Sequence, residues 1–424
     1  MSQRIRALRG FPDIGPEATP AWLKLEAAAA QLMRLYSYSQ VRMPLLEATE
    51  LFARSVGEVT DIVEKEMFSF VDRDKNAMSL RPEGTASAVR LGIDLGLLHN
   101  AQRRLWYTGP MFRHERPQAG RYRQFHQIGV ENFGTAGPQA DIEVIALSAD
   151  LLEAAGVRSA VQLELNTLGS AASRAVYRQA LQEWLRAHAE SLDEDSRSRI
   201  ERNPLRVLDS KVEHTQALLA DAPQLVDYLD EESRAHHAAV CAGLEALGIR
   251  WVNNPRLVRG LDYYNHCVFE WTTDRLGAQG TVLAGGRYDG LVAQLGGGEV
   301  PACGFGMGME RVLLLQQALD ANPAVETLDV YLCHEGSQGR ARGLQVAQEL
   351  RQAGWVVQMD GGDGRLKGQL KRAAAAQPRV RVVCKDEHMD WHLPQAEPPA
   401  ELLEFLQSRW PQTASGSSQQ EATS

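Results

Sequence analysis

Paired cysteines are missing from this chain. Its five cysteines, Cys241, Cys267, Cys303, Cys333 and Cys384, are odd in number, widely scattered and never spaced Cys-x-x-Cys, which argues against a disulfide framework and against a zinc site. Also missing is any uninterrupted apolar stretch approaching the ~20 residues of a membrane span, and the short basic segment from Met1 to Arg9 carries no apolar signal core. No membrane contact and a cytoplasmic location are therefore expected. Positive charge is not in excess either: Lys+Arg number 45 against 54 Asp+Glu, a formal net charge of -9, so the chain is not one that coats nucleic acid through bulk charge. What remains is 44% apolar and 23% charged, the make-up of a globular protein. At 424 residues it is too long for one core, and two or three domains are expected.

The organisation follows from periodicity. An Ala-rich helical pattern runs from Pro20 to Leu35, and an extended segment from Tyr38 to Leu46 follows, with Pro44 near its end. Helix is expected over 86–98 and 141–155, and strand over 161–165. Arg104 to Arg113 and Arg123 to Phe133 are strand-like runs flanking a polar stretch with Pro and Gly, which predicts a long-looped antiparallel hairpin. Residues 171–249 read as almost wholly helical, a block inserted between strands. Strands are expected again over 256–271 and 280–284. Beyond Asn322-Pro323 strand and helix patterns alternate as in a small α/β unit, with a last helix over 400–410. The basic run between Arg340 and Lys385 falls in that unit and reads equally as a solvated helix face or a phosphate-contacting surface. A Ser/Gln/Thr-rich tail follows and is expected to be disordered.

The segment Gly304-Phe305-Gly306-Met307-Gly308-Met309-Glu310-Arg311 alternates glycine with an apolar residue and then meets the apolar run Val312 to Leu315. That is a strand passing directly into a helix. Its three glycines share one sheet face without side chains, against which a flat ring can lie, and Arg311 adds a cation at the helix start, where polyphosphate is favoured. A tightly packed buried strand is the plainer reading of the same pattern. On the second hairpin strand Phe125, Gln127, Gly129, Glu131 and Phe133 fall on one face, a floor with polar walls suited to a small polar ligand. Arg113, closing the facing strand, can fork onto phosphate or pair with Glu115 or Glu131. Arg259, Tyr263 and Tyr264 read as parts of one strand, where Arg259 and Tyr264 serve a common pocket only if Gly260 introduces a bend. Gly285 to Gly290 supplies a further bend carrying Tyr288. Glu83 and Thr85 precede a helix, where Thr85 is also a natural cap.

Together these segments resemble the class II aminoacyl-tRNA synthetases, and among them the histidyl-tRNA synthetase family, over roughly residues 4–325. Tyr38 to Leu46 resembles motif 1, Phe112-Arg113-His114-Glu115 with the strand through Glu131 resembles motif 2, and Gly304 to Arg311 resembles motif 3. Residues 257–265 (LVRGLDYYN) and 285–291 (GGRYDGL) are similar to the two signatures that mark the histidine enzyme. The resemblance implies an α+β catalytic domain with an antiparallel sheet surrounded by helices, in two parts (1–170 and 251–325) around a helical insertion (171–250). A small α/β anticodon-binding domain (327–410) and the tail (411–424) complete it. It implies ATP-dependent ligation of L-histidine to tRNA(His) through a histidyl-adenylate, ATP being a substrate that brings Mg2+, in a homodimer built through motif 1. Site residues are implied with it. Histidine would be held by Glu83, Thr85, Arg113, Gln127, Glu131, Arg259, Tyr263, Tyr264 and Tyr288. ATP would be held by Arg113, Glu115, Arg121, Gly304, Gly306, Gly308, Glu310 and Arg311. Arg113 and Arg259 would be the catalytic cations, with no metal held by the protein itself.

Two departures from the family pattern stand out. Phe11 follows Arg9-Gly10 where the family usually has Thr, and the C-terminal domain is short after Lys385, its hairpin-rich segment reduced to Asp386 to Pro394. The synthetase-like regulatory subunit of ATP phosphoribosyltransferase is the alternative, a histidine-binding paralogue that resembles the catalytic core and has no C-terminal anticodon domain.

Overall fold

The computed structural model describes residues 5–319 except 58, 59, 61, 211, 259, 260, 262, 278 and 279, residues 328–392 except 363, 364 and 387, and Leu406. Contacts divide the chain into two compact units, Met1–Pro323 and Ala324–Ser424. Among the described residues no helix is long and apolar enough to cross a membrane, and Cys267, Cys303, Cys333 and Cys384 are buried free thiols.

The first unit is built on an eight-stranded sheet. Its strands are β1 (Ser39–Gln40), β5 (Arg103–Phe112), β6 (Gln124–Phe133), β7 (Gln162–Thr167), β8 (Trp251–Asn253), β9 (Asn265–Thr272), β10 (Thr281–Arg287) and β11 (Ala302–Gly308). They lie in the order β1-β5-β6-β11-β10-β9-β7-β8. The five inner pairings are antiparallel, as expected; only the edge pairs β1 with β5 and β7 with β8 are parallel, so the sheet is mixed at its rims. A separate three-stranded sheet orders β2 (Leu46–Ala48), β4 (Ala77–Leu80) and β3 (Ser69–Val71) as β2-β4-β3. The extended run expected over 38–46 is thus divided: its ends join different sheets, and Pro44, which lacks an N–H, lies between them.

The helices of this unit are α1 (Thr19–Leu35), α2 (Thr49–Val56), α3 (Thr85–Asp94), α4 (Pro138–Ala154), α5 (Ala171–Ala187), α6 (Glu194–Arg199), α7 (Glu213–Leu218), α8 (Glu231–Ala246), α9 (Leu291–Gln294) and α10 (Met309–Ala318). Proline near the start of α1 suits a turn whose first N–H groups are unpaired, and its buried Leu25, Ala29 and Met33 recur every four residues, one stripe toward the sheet. Helix α4 packs against both the sheet and α8, and Ser148 on it accepts the Trp271 indole N–H at 2.7 Å. Between β7 and β8, α5 to α8 and short 3-10 turns account for the helical reading of 171–249.

Buried charge locks the unit together. Arg287, at the end of β10 and 0% exposed, donates to Asp141 on α4 through Nε and Nη2 and to the carbonyls of Thr135 and Gly137 at 3.1 and 3.0 Å. Its Nη1 also reaches Asp289 at 3.1 Å. On the other side, the Asp141 carboxylate meets His236 Nε2 at 3.0 Å.

The second unit has a four-stranded sheet in the order β13-β12-β14-β15, made of β12 (Val330–His334), β13 (Val357–Met359), β14 (Val380–Cys384) and β15 (Met389–His392), with helices α11 (Gly336–Gln352) and α12 (Leu366–Ala375). β12 is parallel to β13 and β14, and β15 is antiparallel. Residues 386–394, short as they are, therefore still supply an edge strand. The helix expected over 400–410 and the tail lie outside the described residues apart from Leu406.

Candidate active site

Strand β11 and helix α10 form as the glycine alternation predicts, and the missing side chains serve three different ends. A Cβ on Gly304 would collide first with the Val130 backbone carbonyl and then with Glu131 Oε2, so this glycine makes room for the neighbouring strand as well as for a carboxylate. On Gly306 it would meet Gln127 Nε2 at 3.3 Å, and on Gly308 it would make only ordinary contact with Arg311. Gly306 and Gly308 lie on the wall of a cavity of about 290 Å³, whereas Gly304, Glu131 and Tyr288 sit one layer behind it.

Tyr107 is the residue that sequence reasoning missed. In the β5–β6 register it lies directly opposite Gly129, and its ring fills the space above Gly129 and Gly84, where an added Cβ would come within 2.2 Å of it in either case. The floor expected from bare glycine is therefore a phenol. Its hydroxyl donates to Glu131 Oε1 at 2.9 Å while the Tyr288 hydroxyl donates to Oε2. The glycine was visible in the sequence; its large cross-strand partner became visible only with the register.

Glu83 does more than line the wall. Its two oxygens accept the backbone N–H groups of Thr85 and Ala86 at 2.7 and 2.8 Å, so it caps α3, a role the sequence offered to Thr85. Burial raises its carboxyl above the ordinary range despite these bonds. Thr85, Gln127, Tyr263 and Tyr264 share the same cavity. The two tyrosines precede β9 rather than lying in it, which corrects the strand expected from residue 256 onward. Their rings are 4.7 Å apart, and Tyr288 meets Tyr263 edge-on at 5.5 Å. Arg259, Gly260 and Asp262, and with them the expected bend, lie outside the described residues.

Three guanidinium groups meet at the other end. Arg113 Nε donates to the Pro82 carbonyl at 2.9 Å and its guanidinium stands 5.3 Å from the centre of the Phe125 ring. Arg121 pairs with Glu115, and Glu131 is taken up by phenols, so neither acid considered as a partner for Arg113 is devoted to it. Arg311 Nε donates to the Gly120 carbonyl at 3.1 Å. Burial, with repulsion from Arg113 and Arg121, pushes the Arg311 guanidinium down to about 10. Such destabilisation of a cation in a concave site favours an anionic ligand. Glu310, although on the wall, accepts from the His126 backbone N–H at 2.9 and 3.0 Å and meets its Nδ1 at 2.9 Å, which fixes α10 to β6. Glu270, which the sequence reading did not single out, also faces the cavity and accepts from Thr281 Oγ1 at 2.9 Å.

Glu131 gives the site a measurable signature. Burial pushes its carboxyl up to about 8 from a usual 4.5, with bonds from Tyr288, Tyr107 and Thr85 pulling the other way. A native pKa above the unfolded one stabilises the fold fully below about pH 4.5, and that share is lost as pH rises through about 8. The melting midpoint of the ligand-free protein is expected to drop between about pH 5 and pH 8.5 relative to that of Glu131→Gln. Parallel profiles for the two proteins would show that the carboxyl ionises normally.

A model of the histidyl-tRNA synthetase family matches residues 10–312. Among solved structures, apo S. aureus histidyl-tRNA synthetase is 34% identical, with 91% of this chain and 92% of that one covered at a TM-score of 0.76. A histidine--tRNA ligase subunit from Alicyclobacillus acidocaldarius is 25% identical over 75% of this chain and 100% of its own, with a TM-score of 0.53. The chain belongs to the histidyl-tRNA synthetase family. A Bacillus halodurans structure titled ATP phosphoribosyltransferase regulatory subunit/histidyl-tRNA synthetase shares the fold at 23% identity, covering 91% of this chain and 99% of that one with a TM-score of 0.68. Coverage alone therefore does not separate the catalytic from the regulatory reading.

Proposed function

We propose that the protein is an active histidine–tRNA ligase. The single observation that carries this reading is the convergence of Arg113, Arg121 and Arg311 on a cavity that also contains Tyr263, Tyr264 and Gln127. A site for histidine alone would have no use for three cations at its far end; a triphosphate would. Arg311 takes the γ-phosphate, and Arg113 the α-phosphate together with the histidine carboxylate. Arg259 is assigned to the same task on its motif alone.

The carboxylate oxygen attacks the α-phosphorus in line and pyrophosphate leaves, a step that needs alignment and cations around developing charge rather than a protein nucleophile. A hydroxyl at the tRNA 3′ end then attacks the activated carbonyl, and AMP departs. Gly306 and Gly308 admit the purine. Glu83, Thr85 and Gln127 receive the ammonium group. Neutral imidazole offers one donor and one acceptor nitrogen; Glu131 and Tyr264 meet them, Glu131 by exchanging a phenol partner for the ring. A site of that kind rejects amino acids lacking both nitrogens by about 10⁴.

Magnesium would enter with ATP, held in such sites through one or two carboxylates plus phosphate oxygens, and Glu270 on the cavity wall would supply such a carboxylate. The second unit is assigned to the anticodon arm and motif 1 to a homodimer contact, both on resemblance.

Charging total tRNA with each amino acid in turn tests the whole reading. Histidine alone should be incorporated, onto one acceptor species. A chain that binds histidine yet gives no histidine-dependent exchange between ATP and pyrophosphate would be of the regulatory type.

A further inference from the structure

The segment from Arg113 to Arg123, which joins β5 to β6, brings Arg113 and Arg121 to the cavity, and its Gly120 carbonyl holds Arg311. The placement of all three guanidinium groups therefore follows the placement of this loop. The Arg113 N–H donates to the Arg123 carbonyl at 2.9 Å and closes the loop at its base. Two segments remote in sequence grip that base. The Gly10 carbonyl accepts the backbone N–H groups of both Arg123 and Gln124, at 2.8 and 3.2 Å. Gly10 needs its missing side chain there: its φ is +88°, and a Cβ would lie 2.8 Å from Arg123 Cγ. The Glu66 carbonyl accepts the His114 N–H at 2.6 Å. A row of rings ties the same pieces together. Phe11 meets Phe68 edge-on with centroids 5.8 Å apart, and Phe68 meets the His114 ring edge-on at 5.4 Å. Phe11 stands where the family usually has Thr, a residue with no ring to offer Phe68.

We propose that Phe11 is a positioning residue for the triphosphate end of the cavity, its ring acting through Phe68 and His114 to keep the 113–123 loop where Arg113, Arg121 and Arg311 converge. The proposal rests on the ligase reading and adds to it a residue that touches no substrate. Arg113 and Arg121 repel Arg311, so in the empty site charge presses the loop away from the placement that a triphosphate needs. Contacts that carry no net charge must hold it in, and these are the bonds to Gly10 and Glu66 and the row of rings. One edge-on aromatic contact shifts an equilibrium by about 2- to 12-fold. Holding the loop before the ligand arrives lowers the ordering cost of binding by that factor. Phe11 is half-buried and is not part of the unit's buried core, so changing it leaves the core intact.

Phe11→Leu removes the ring and keeps an apolar side chain, whereas Phe11→Tyr keeps the ring. In histidine-dependent incorporation of pyrophosphate into ATP, the KM for ATP should rise about fivefold in Phe11→Leu. The KM for histidine should stay within about twofold, since Glu83, Thr85, Tyr263 and Tyr264 lie outside the loop, and Phe11→Tyr should match the parent. Amide hydrogen exchange of the ligand-free protein supplies a readout without activity. The amides of Arg113, Arg123 and Gln124 should exchange about fivefold faster in Phe11→Leu, and those of β9 and β10 at the parent's rate. An unchanged KM for ATP in Phe11→Leu would overturn the proposal, as would Phe11→Tyr behaving like Phe11→Leu. A lower kcat with both KM values unchanged would also overturn it, being the mark of a smaller folded fraction. A parent that incorporates no pyrophosphate would instead overturn the activity assigned to the cavity. Calorimetric titration with ATP then decides on Phe11 by the same fivefold loss of affinity, and a parent that binds no ATP would overturn both readings.

Discussion

Arg311→Met is expected to lower histidine-dependent exchange between ATP and pyrophosphate by about 10² to 10³-fold, the range for loss of one preorganised charge at a developing anion. Arg311 lies at the third position of α10, with its Nε held by the Gly120 carbonyl and Nη1 by that of Thr281. Its side chain is thereby set in the ligand-free protein. Because Arg113 and Arg121 repel it, removing its charge relieves the empty protein. The variant should melt no lower than the parent while losing activity, a combination that a folding defect does not produce. Lysine at the same position retains the charge without the planar fork and should recover only part of the rate. Exchange within about threefold of the parent in Arg311→Met would remove this residue from the mechanism.

The largest stability effect is expected away from the chemistry. Arg287 and Asp141 are 0% and 1% exposed in their side chains, and breaking such a buried pair on one side costs about 3–5 kcal/mol because the other charge is left stranded. Arg287→Met should shift the urea unfolding transition of the first unit accordingly. Replacing both partners, Arg287→Met with Asp141→Leu, should be milder than the single change, since no buried charge is left over. If the double variant were as unstable as the sum of the two singles, the guanidinium bonds to Thr135 and Gly137 would outweigh the ion pair. Arg287 stands next to Tyr288 in the GGRYDGL segment, so a motif that resembles a substrate signature also contains a structural lock.

That dual use explains where sequence reading stopped. The alternation over 302–311 was legible because glycine and apolar residues repeat with the strand period and a helical run follows; β11 and α10 form there. The hairpin of β5 and β6 was legible because two strand-like runs flank a polar stretch containing Pro and Gly. The tyrosines at 263 and 264 were recognised as pocket residues but placed in a strand, because aromatic residues favour strands and the backbone at Leu257 and Tyr264 is held by contacts from elsewhere, Asn166 donating to the Leu257 carbonyl at 3.0 Å and Arg174 to that of Tyr264. Glu83 was picked out for its charge, yet which group would cap α3 depended on which side chain turned back to the helix.

Local order in the chain is enough to establish the family, the order of the main strands and helices, and the residue types that line the candidate cavity, since each leaves a mark within a few neighbouring positions. Residues remote in sequence settled the rest: Tyr107 over Gly129, the phenols enclosing Glu131, and the convergence of Arg113, Arg121 and Arg311 on one cavity. Each is a relation between segments tens to hundreds of positions apart, and a side chain's charge state or orientation follows from the neighbours that folding brings to it, which no short stretch of sequence contains.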